Sequence, residues 1–425
     1  MLNEIFLFLS QNFVFPRNVL TSTFLLFLIT FFYFLFKNKK NIYILFLIPL
    51  VTSFYSGLSY AFRFTNVHET AALYWDVRGL WCANLALDAG LSPYNGMADC
   101  MFPNLPMLVA YQPIFLNFFW NIDYSSFKLI WLSLAIIFLI VIYISSKQIL
   151  NYKSNLLFFV LFLLGAYEGS SWITFQSGNI AIITYGISFY FLYRLIQNDK
   201  SLGFFVTIGI LTAFKYHFIL LLLYPVLVQR RIDIKYHALT FLVFFATTLT
   251  SYYMYPHLYN ELFTEVIGKQ LDQGLKPYPS QLFIYDYFRD HVDGLKFNTF
   301  FKGFVFVSMF LFFYNRIRKN STYSKADLFI LATFMINLCL PRLKLYDLLL
   351  IIPCTIKILE ESWVSTDKKI ISRLITLIIA CTFFFIYPQW WWDNWSYYYI
   401  IVLFLLYIYQ KDFFKESPNH KVNNQ

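Results

Sequence analysis

The chain has 425 residues, of which 59% are hydrophobic, 22% aromatic and only 13% charged. About a quarter of the residues of a soluble globular protein are charged, so this composition excludes an ordinary soluble domain. It predicts an all-α, polytopic membrane helix bundle. The net charge of +10 falls mostly in short loops between apolar runs, which indicates orientation in a membrane and argues against a nucleic-acid partner.

Apolar runs predict about thirteen helices that span the membrane fully or in part. Several runs are shorter than the roughly 20 residues of a full span, so half-helices or tilted pairs are expected among them. Residues 1–415 are treated as one membrane domain and 416–425 as a polar tail. The predicted runs are 18–37, 42–62, 126–146, 155–170, 179–197, 201–214, 217–229, 236–255, 298–315, 326–340, 347–360, 371–388 and 396–410.

The basic loops predict which side of the membrane each loop faces. Alternating sides along the chain brings nearly every short basic loop, including those around Lys147, Arg230 and Lys411, to one face. The positive-inside rule assigns that face to the cytoplasm. The other face receives the two long loops, 63–125 and 256–297, so chemistry is expected on the extracytoplasmic side of an inner (plasma) membrane.

The first long loop contains the leading catalytic candidate. Residues 74–89 have apolar side chains at roughly helical spacing, which predicts an amphipathic interfacial helix ended by Gly90. Asp76 lies in its first turn and is either a general base toward a sugar hydroxyl or an acid that stabilises the helix dipole. Asp88, near the helix end, is interpreted as structural.

Other outer-face polar residues each have a functional and a structural interpretation. Tyr111 precedes a proline that bars a regular helix. The amides of Gln176 and Asn179 either bind a sugar or form a turn and a helix cap. Loop 256–297 carries His257 and Glu261 without metal-ligand spacing and is interpreted as a solvated lid or acceptor surface.

Two groups of cations are predicted to meet a phosphate. Lys215 and His217 interrupt the apolar stretch 201–229, which is best explained by two short helices that meet there; the lysine then either binds a lipid phosphate or extends to the interface. After Pro341, Arg342 and Lys344 with Asp347 form either a phosphate pocket or an internal ion pair, and the two cations are the predicted phosphate ligands. Substrate binding is predicted for Tyr111, Gln176, Asn179, His217, Tyr346 and Asp347.

The order of these motifs resembles glycosyltransferase family 87, a family of integral-membrane transferases with the GT-C fold. The resemblance runs from about residue 42 to residue 360 and rests on short motifs in the same order. They are the loop aspartate Asp76, Gly90-x-x-Pro93-Tyr94, Tyr111-x-Pro113, Gln176-x-Gly178-Asn179, the glycines before Lys215, and the Pro341-led motif. Many relatives have Ser-Pro-x-Ser-Trp-x-His in the last motif, whereas this chain has no histidine there.

The resemblance implies an inverting hexosyltransferase of cell-envelope glycan biosynthesis. Its donor would be a polyprenyl-phosphate-linked sugar, its acceptor a lipid or glycan, and it would need no metal or other cofactor. Asp76 would be the base and Lys215 a donor phosphate ligand. The alternatives are an O-antigen-type polymerase or ligase, and a transporter or flippase of lipid-linked sugar. Cys82 and Cys100 either pair in an oxidising compartment or remain free thiols.

Overall fold

The structure is a computed structural model. It describes residues 75–94, 111–116, 122–165, 178–198, 202–264, 294–319, 323–340, 349–364, 400–401, 403–409 and 411. These residues are mostly helical and include no β-strand, in agreement with the predicted all-α class. The predicted runs 18–37, 42–62 and 371–388 lie outside them.

The described helices follow the predicted apolar runs closely. They are α1 Trp75–Asp88, α2 Pro113–Leu116, α3 Tyr124–Leu150, α4 Leu156–Gly165, α5 Ala181–Asn198, α6 Leu202–Phe214, α7 Leu223–Val228, α8 Ile234–Met254, α9 Pro256–Glu261, α10 Gly294–Lys319, α11 Lys325–Cys339 and α12 Ile351–Val364. A 3₁₀ helix, Tyr216–Leu222, leads into α7, and helical residues recur within 400–409.

Helix α3 is the longest element of the described part of the chain. Its 27 residues span about 40 Å at the rise of an α-helix. It begins at Asp123, whose carboxylate accepts a hydrogen bond from the backbone N–H of Ser126, and it ends at Asn151 in the left-handed conformation. The helix packs against α5 and also contacts α1, α11 and α12. It is therefore the axis on which the other helices are placed.

Within the described residues, α3 alone is both long and apolar enough to cross a membrane by itself. Helix α8 and the segment Pro256–Thr264 form a second candidate if they are taken together, and a bend of 115° separates them. Two shorter apolar helices, Leu202–Phe214 and Tyr216–Val228, do not reach a spanning length singly.

The chain breaks at Lys215 between those two short helices. Lys215 has an extended backbone (φ −145°, ψ 113°), and the 3₁₀ helix starts directly after it and packs on α6. Arg230, at the far end of α7, donates from Nη2 to the carbonyl oxygen of Tyr323 at 2.8 Å. The two short helices therefore form a hairpin whose tip is Lys215, as the sequence predicts.

Helix α8 has the reverse of the usual arrangement of polar and apolar side chains. Its buried residues are Thr240 and Ser251, while Leu242 and Phe245 are more than half exposed. The Thr240 hydroxyl donates to the Phe205 carbonyl oxygen at 3.0 Å. Gly209 of α6 faces the same turn of α8, and a Cβ there would lie 2.8 Å from the backbone carbonyl oxygen of Thr240. The helices approach closely because this position has no side chain.

The two ends of the bundle carry different groups. At one end, lysine side chains bind backbone carbonyl oxygens at the ends of other helices. Lys325 Nζ donates to Ile196 O at 3.0 Å, and Lys357 Nζ donates to Asn151 O at 3.3 Å. Arg230 and Lys411 lie at the same end. We call it the basic end. The start of α5 and the Lys215 tip lie at the opposite end, which we call the site end.

Candidate functional site

Helix α1 lies at the site end, held against the start of α3. The Trp81 indole N–H donates to the Ile122 carbonyl oxygen at 2.9 Å. At its C-terminus, Gly90 has φ +70° and its N–H donates to Leu87 O, while Leu91 N–H donates to Ala86 O. This is the glycine-ended helix cap that the sequence predicts.

The prediction that α1 is amphipathic needs a correction, whereas its position relative to a membrane stays a prediction. Val77, Cys82, Ala83 and Ala86 are all buried, so the buried residues do not form the single stripe of a helix lying on a surface. The small residues let neighbouring elements approach from more than one side. The helix is enclosed in the site end, and Asp88, on its last turn, is exposed.

Asp76 meets Asn179 across the site. The Asn179 side-chain amide N–H donates to Asp76 Oδ2 at 2.7 Å. The aspartate is partly exposed, whereas Asn179 is 4% exposed. A carboxylate held by a buried amide has a defined orientation and still has an oxygen available for a bound molecule.

Asn179 is therefore poorly suited to the predicted substrate-binding role. Its other side-chain atom, Oδ1, accepts from the Ala181 backbone N–H at 2.9 Å and so supports the first turn of α5. Gly178 precedes it with φ +69°, a conformation that a residue with a side chain rarely adopts. Both polar groups of Asn179 have partners within the protein, which makes it a residue that positions Asp76.

Tyr111 brings Asp76 and Lys215 to one place. Its ring stacks on Phe214, with centroids 4.3 Å apart and planes 10° apart. The Lys215 ammonium lies 5.6 Å from the centre of the Tyr111 ring. Phe115 meets Phe214 edge-on at 5.2 Å, so the lysine stands beside an aromatic wall.

Both Lys215 and Asp76 influence the pKa of the Tyr111 hydroxyl. Burial raises the pKa of Tyr111; a hydrogen bond and the charge of Lys215 lower it, and the carboxylate of Asp76 raises it, with a net upward shift. The phenol is therefore neutral at ordinary pH. It can donate or accept a hydrogen bond between a cation and a carboxylate.

A series of hydrogen bonds also holds the backbone of Tyr111. The Tyr94 hydroxyl donates to the Tyr111 carbonyl oxygen at 2.8 Å, and the Tyr94 N–H donates to the Ser92 hydroxyl oxygen at 3.2 Å. The Ser92 hydroxyl in turn donates to the Glu261 carboxylate. Sequence reasoning missed this connection because Ser92 and Glu261 are far apart in the chain and neither belongs to a motif.

The same contacts join the second long loop to the site. Its first part, α9 and the residues up to Thr264, is largely exposed but is fastened to the turn after α1 through Glu261 and Leu262, and its predicted role as a lid or acceptor surface stays a prediction. His257 remains exposed and lies 3.2 Å from Glu261 through Nδ1. The remainder of the loop, 265–293, lies outside the described residues.

Of the other predicted site residues, the structure describes only His217. His217 stacks on Phe218 at 4.8 Å in the 3₁₀ helix after Lys215. Its role in substrate binding stays a prediction. The remaining candidates lie outside the described residues; they are Gln176, Arg342, Lys344, Tyr346 and Asp347.

Cys82 is buried in α1 and disulfide-bonded, with a partner outside the described side chains. Cys100, its predicted partner, lies in an undescribed segment. Among the residues that the structure describes, no three His, Cys, Asp or Glu side chains are grouped closely enough to hold a metal ion.

Comparison with known proteins adds no relative: no family model, no curated protein and no solved structure matches the chain.

Proposed function

We propose that the chain is a polytopic integral-membrane protein with its site end on the extracytoplasmic side. The reversed polarity of α8 supports this, because large apolar side chains facing outward are stable in lipid and costly in water. The disulfide at Cys82 supports the sidedness, since disulfides persist in oxidising compartments.

The proposed activity is transfer of a hexose from a polyprenyl-phosphate-linked sugar to a lipid or glycan acceptor, with inversion. Asp76 takes the proton of the acceptor hydroxyl while the acceptor oxygen attacks the anomeric carbon. The bond from that carbon to the donor phosphate oxygen breaks. The polyprenyl phosphate leaves with the electron pair, and the Lys215 ammonium stabilises its charge.

One observation carries the proposal: the Lys215 ammonium lies 5.6 Å from the centre of the Tyr111 ring, and the Asp76 carboxylate is near enough to raise the pKa of the Tyr111 hydroxyl, at the end of the bundle opposite the basic loops. A base and a phosphate-binding cation must face the same reacting centre, and these two residues are far apart in sequence. Arg342 and Lys344 are proposed to complete the phosphate site. Tyr346, Asp347, Gln176 and His217 are proposed to contact substrate.

The test is transfer by purified full-length protein from a panel of polyprenyl-phosphate sugars to acceptor lipids. Asp76→Asn keeps an oxygen that can accept from Asn179 but removes the base. We expect transfer to fall by about 10²–10⁴-fold while donor binding remains. The matched control is Asp88→Asn, on the exposed last turn of the same helix, which should leave transfer unchanged.

The two alternatives predict different outcomes. A flippase of lipid-linked sugar would move donor across vesicles without forming a glycosidic bond. A polymerase or ligase would use a lipid-diphosphate donor and ignore the monophosphate. Transfer that survives Asp76→Asn at full rate would refute the proposed mechanism.

A further inference from the structure

Glu261 is connected to the site by a short series of hydrogen bonds. The Ser92 hydroxyl joins the Glu261 carboxylate to the Tyr94 backbone N–H, and the Tyr94 hydroxyl ends the series at the Tyr111 carbonyl oxygen. The Glu261–Ser92 and Tyr94–Tyr111 contacts cross from one structural element to another, and the Ser92–Tyr94 contact lies within the turn after α1. The series runs from α9, through the turn after α1, to the segment that enters α2.

The series lies against a small apolar cluster separate from the main core. Tyr94, Ala83, Leu116 and Leu262 form its buried centre, and Leu80, Leu87, Tyr111 and Leu258 pack around it. Tyr94 is only 2% exposed. Because its hydroxyl is buried beside the Tyr111 carbonyl, a shift of Tyr94 leaves a buried polar group without its partner.

We propose that Glu261 is a positioning residue for the transfer reaction, acting through Ser92 and Tyr94 on Tyr111. This rests on the proposed function for its consequence in catalysis. Tyr111 stacks on Phe214 and the Lys215 ammonium lies against its ring, so a shift of the backbone at residue 111 moves both the phenol and the ring that faces the cation. A displacement of about 1 Å at a reacting centre can slow a reaction by 10²-fold.

Glu261 is distinguished from its neighbours on α9 by this contact. Asn260 is exposed, and its described contact is a backbone one, accepting from the Thr264 hydroxyl at 3.1 Å. Asn260→Ala is therefore a matched control on the same short helix. Glu261→Gln is the conservative variant, because its amide oxygen can still accept from the Ser92 hydroxyl.

The experiment reads Tyr111 directly and measures transfer in parallel. Fluorotyrosine is incorporated at position 111 of the full chain, and its fluorine NMR resonance is recorded in lipid nanodiscs. Glu261→Ala should move the resonance, whereas Glu261→Gln and Asn260→Ala should not. In protein without the label, Glu261→Ala should lower kcat by roughly ten- to a hundredfold with little change in donor KM.

Ser92→Ala gives an independent second variant if Glu261→Ala does not fold. It should move the resonance as Glu261→Ala does, and the double variant should add nothing further, since both remove one connection. An unmoved resonance in both variants overturns the proposal, as does a moved resonance with unchanged kcat. If the wild-type chain transfers no sugar, the proposed function fails while the resonance still decides the contact.

Discussion

The two ends of the bundle treat charged side chains differently. At the basic end, Lys411 Nζ lies 2.8 Å from the Asp327 carboxylate and 3.1 Å from that of Glu361. At the site end, Asp76 is held by an amide, and Lys215 stands against a phenol ring. The Lys411 ion pairs join separate helices and so stabilise the fold, whereas Asp76 and Lys215 lie where the proposed reaction needs a base and a cation.

Glu360 shows how completely the basic end satisfies its charges. It is 7% exposed and accepts from the Lys153 and Ser154 backbone N–H groups and from the Ser154 hydroxyl. This closes the loop between α3 and α4 onto α12. The carboxylate has no described role beyond joining these elements.

After Asp76→Asn, the largest expected effect is the loss of the site-end cation. Lys215→Met keeps the aliphatic stem beside Tyr111 but removes the charge, so transfer should fall by about 10²–10³-fold with the melting temperature nearly unchanged. The matched control is Lys325→Met at the basic end, which should lower stability slightly and leave transfer per folded molecule intact. Equal losses of transfer in both variants would remove the distinction between the ends.

Glu360→Ala should have the opposite profile. Three donors lose their acceptor, two of them on the buried Ser154, so the free energy of unfolding should fall by about 2–4 kcal/mol, while the protein that remains folded should transfer sugar normally. Thermal unfolding in detergent and the rate per folded molecule measure the two quantities. Glu361→Ala, at a half-exposed neighbour, should cost about 0–1 kcal/mol.

Asn179 both holds Asp76 and supports the first turn of α5, and two variants separate these roles. Asn179→Ser keeps an oxygen that can support the first turn of α5 but has no amide to reach Asp76. It should lower kcat by about tenfold with little change in melting temperature. Asn179→Ala should lower both. A serine variant with normal kcat would show that Asn179 is structural only.

The smallest expected effect is a pH dependence at Lys411. Burial lowers the pKa of Lys411, but the hydrogen bond to Asp327 and the charge of Glu361 outweigh it and raise the pKa above 10.5. A raised pKa of a base means that the stabilisation is fully present below pH 10.5 and is lost as the pH rises through the folded-state value.

Lys411→Met should therefore be less stable than the wild type by about 1 kcal/mol near neutral pH. The difference in melting temperature should shrink above pH 10.5. Lys411→Arg, which stays charged throughout this range, should not show the alkaline loss. A difference that is constant with pH would indicate that packing, not charge, holds this contact.

The local features of the fold were predictable from sequence. A glycine turn indicated the end of α1, and a lysine within an apolar stretch indicated the break at 215. Each of these depends on neighbouring residues only, because helix ends are set by local hydrogen bonds and by the cost of burying a charge. The basic loops were also predicted to lie at one end, because successive helices cross the bundle in alternating directions.

The contacts between distant residues were decided by tertiary packing. No spacing in the chain indicates that Asn179 holds Asp76, that Glu261 reaches Ser92, or that α1 is enclosed. Such pairs form only when helices from separate parts of the chain pack, and each side chain has many equally plausible partners before then. The sequence by itself determined a helical chain with polar residues at one end, and the tertiary structure decided which of them position the others.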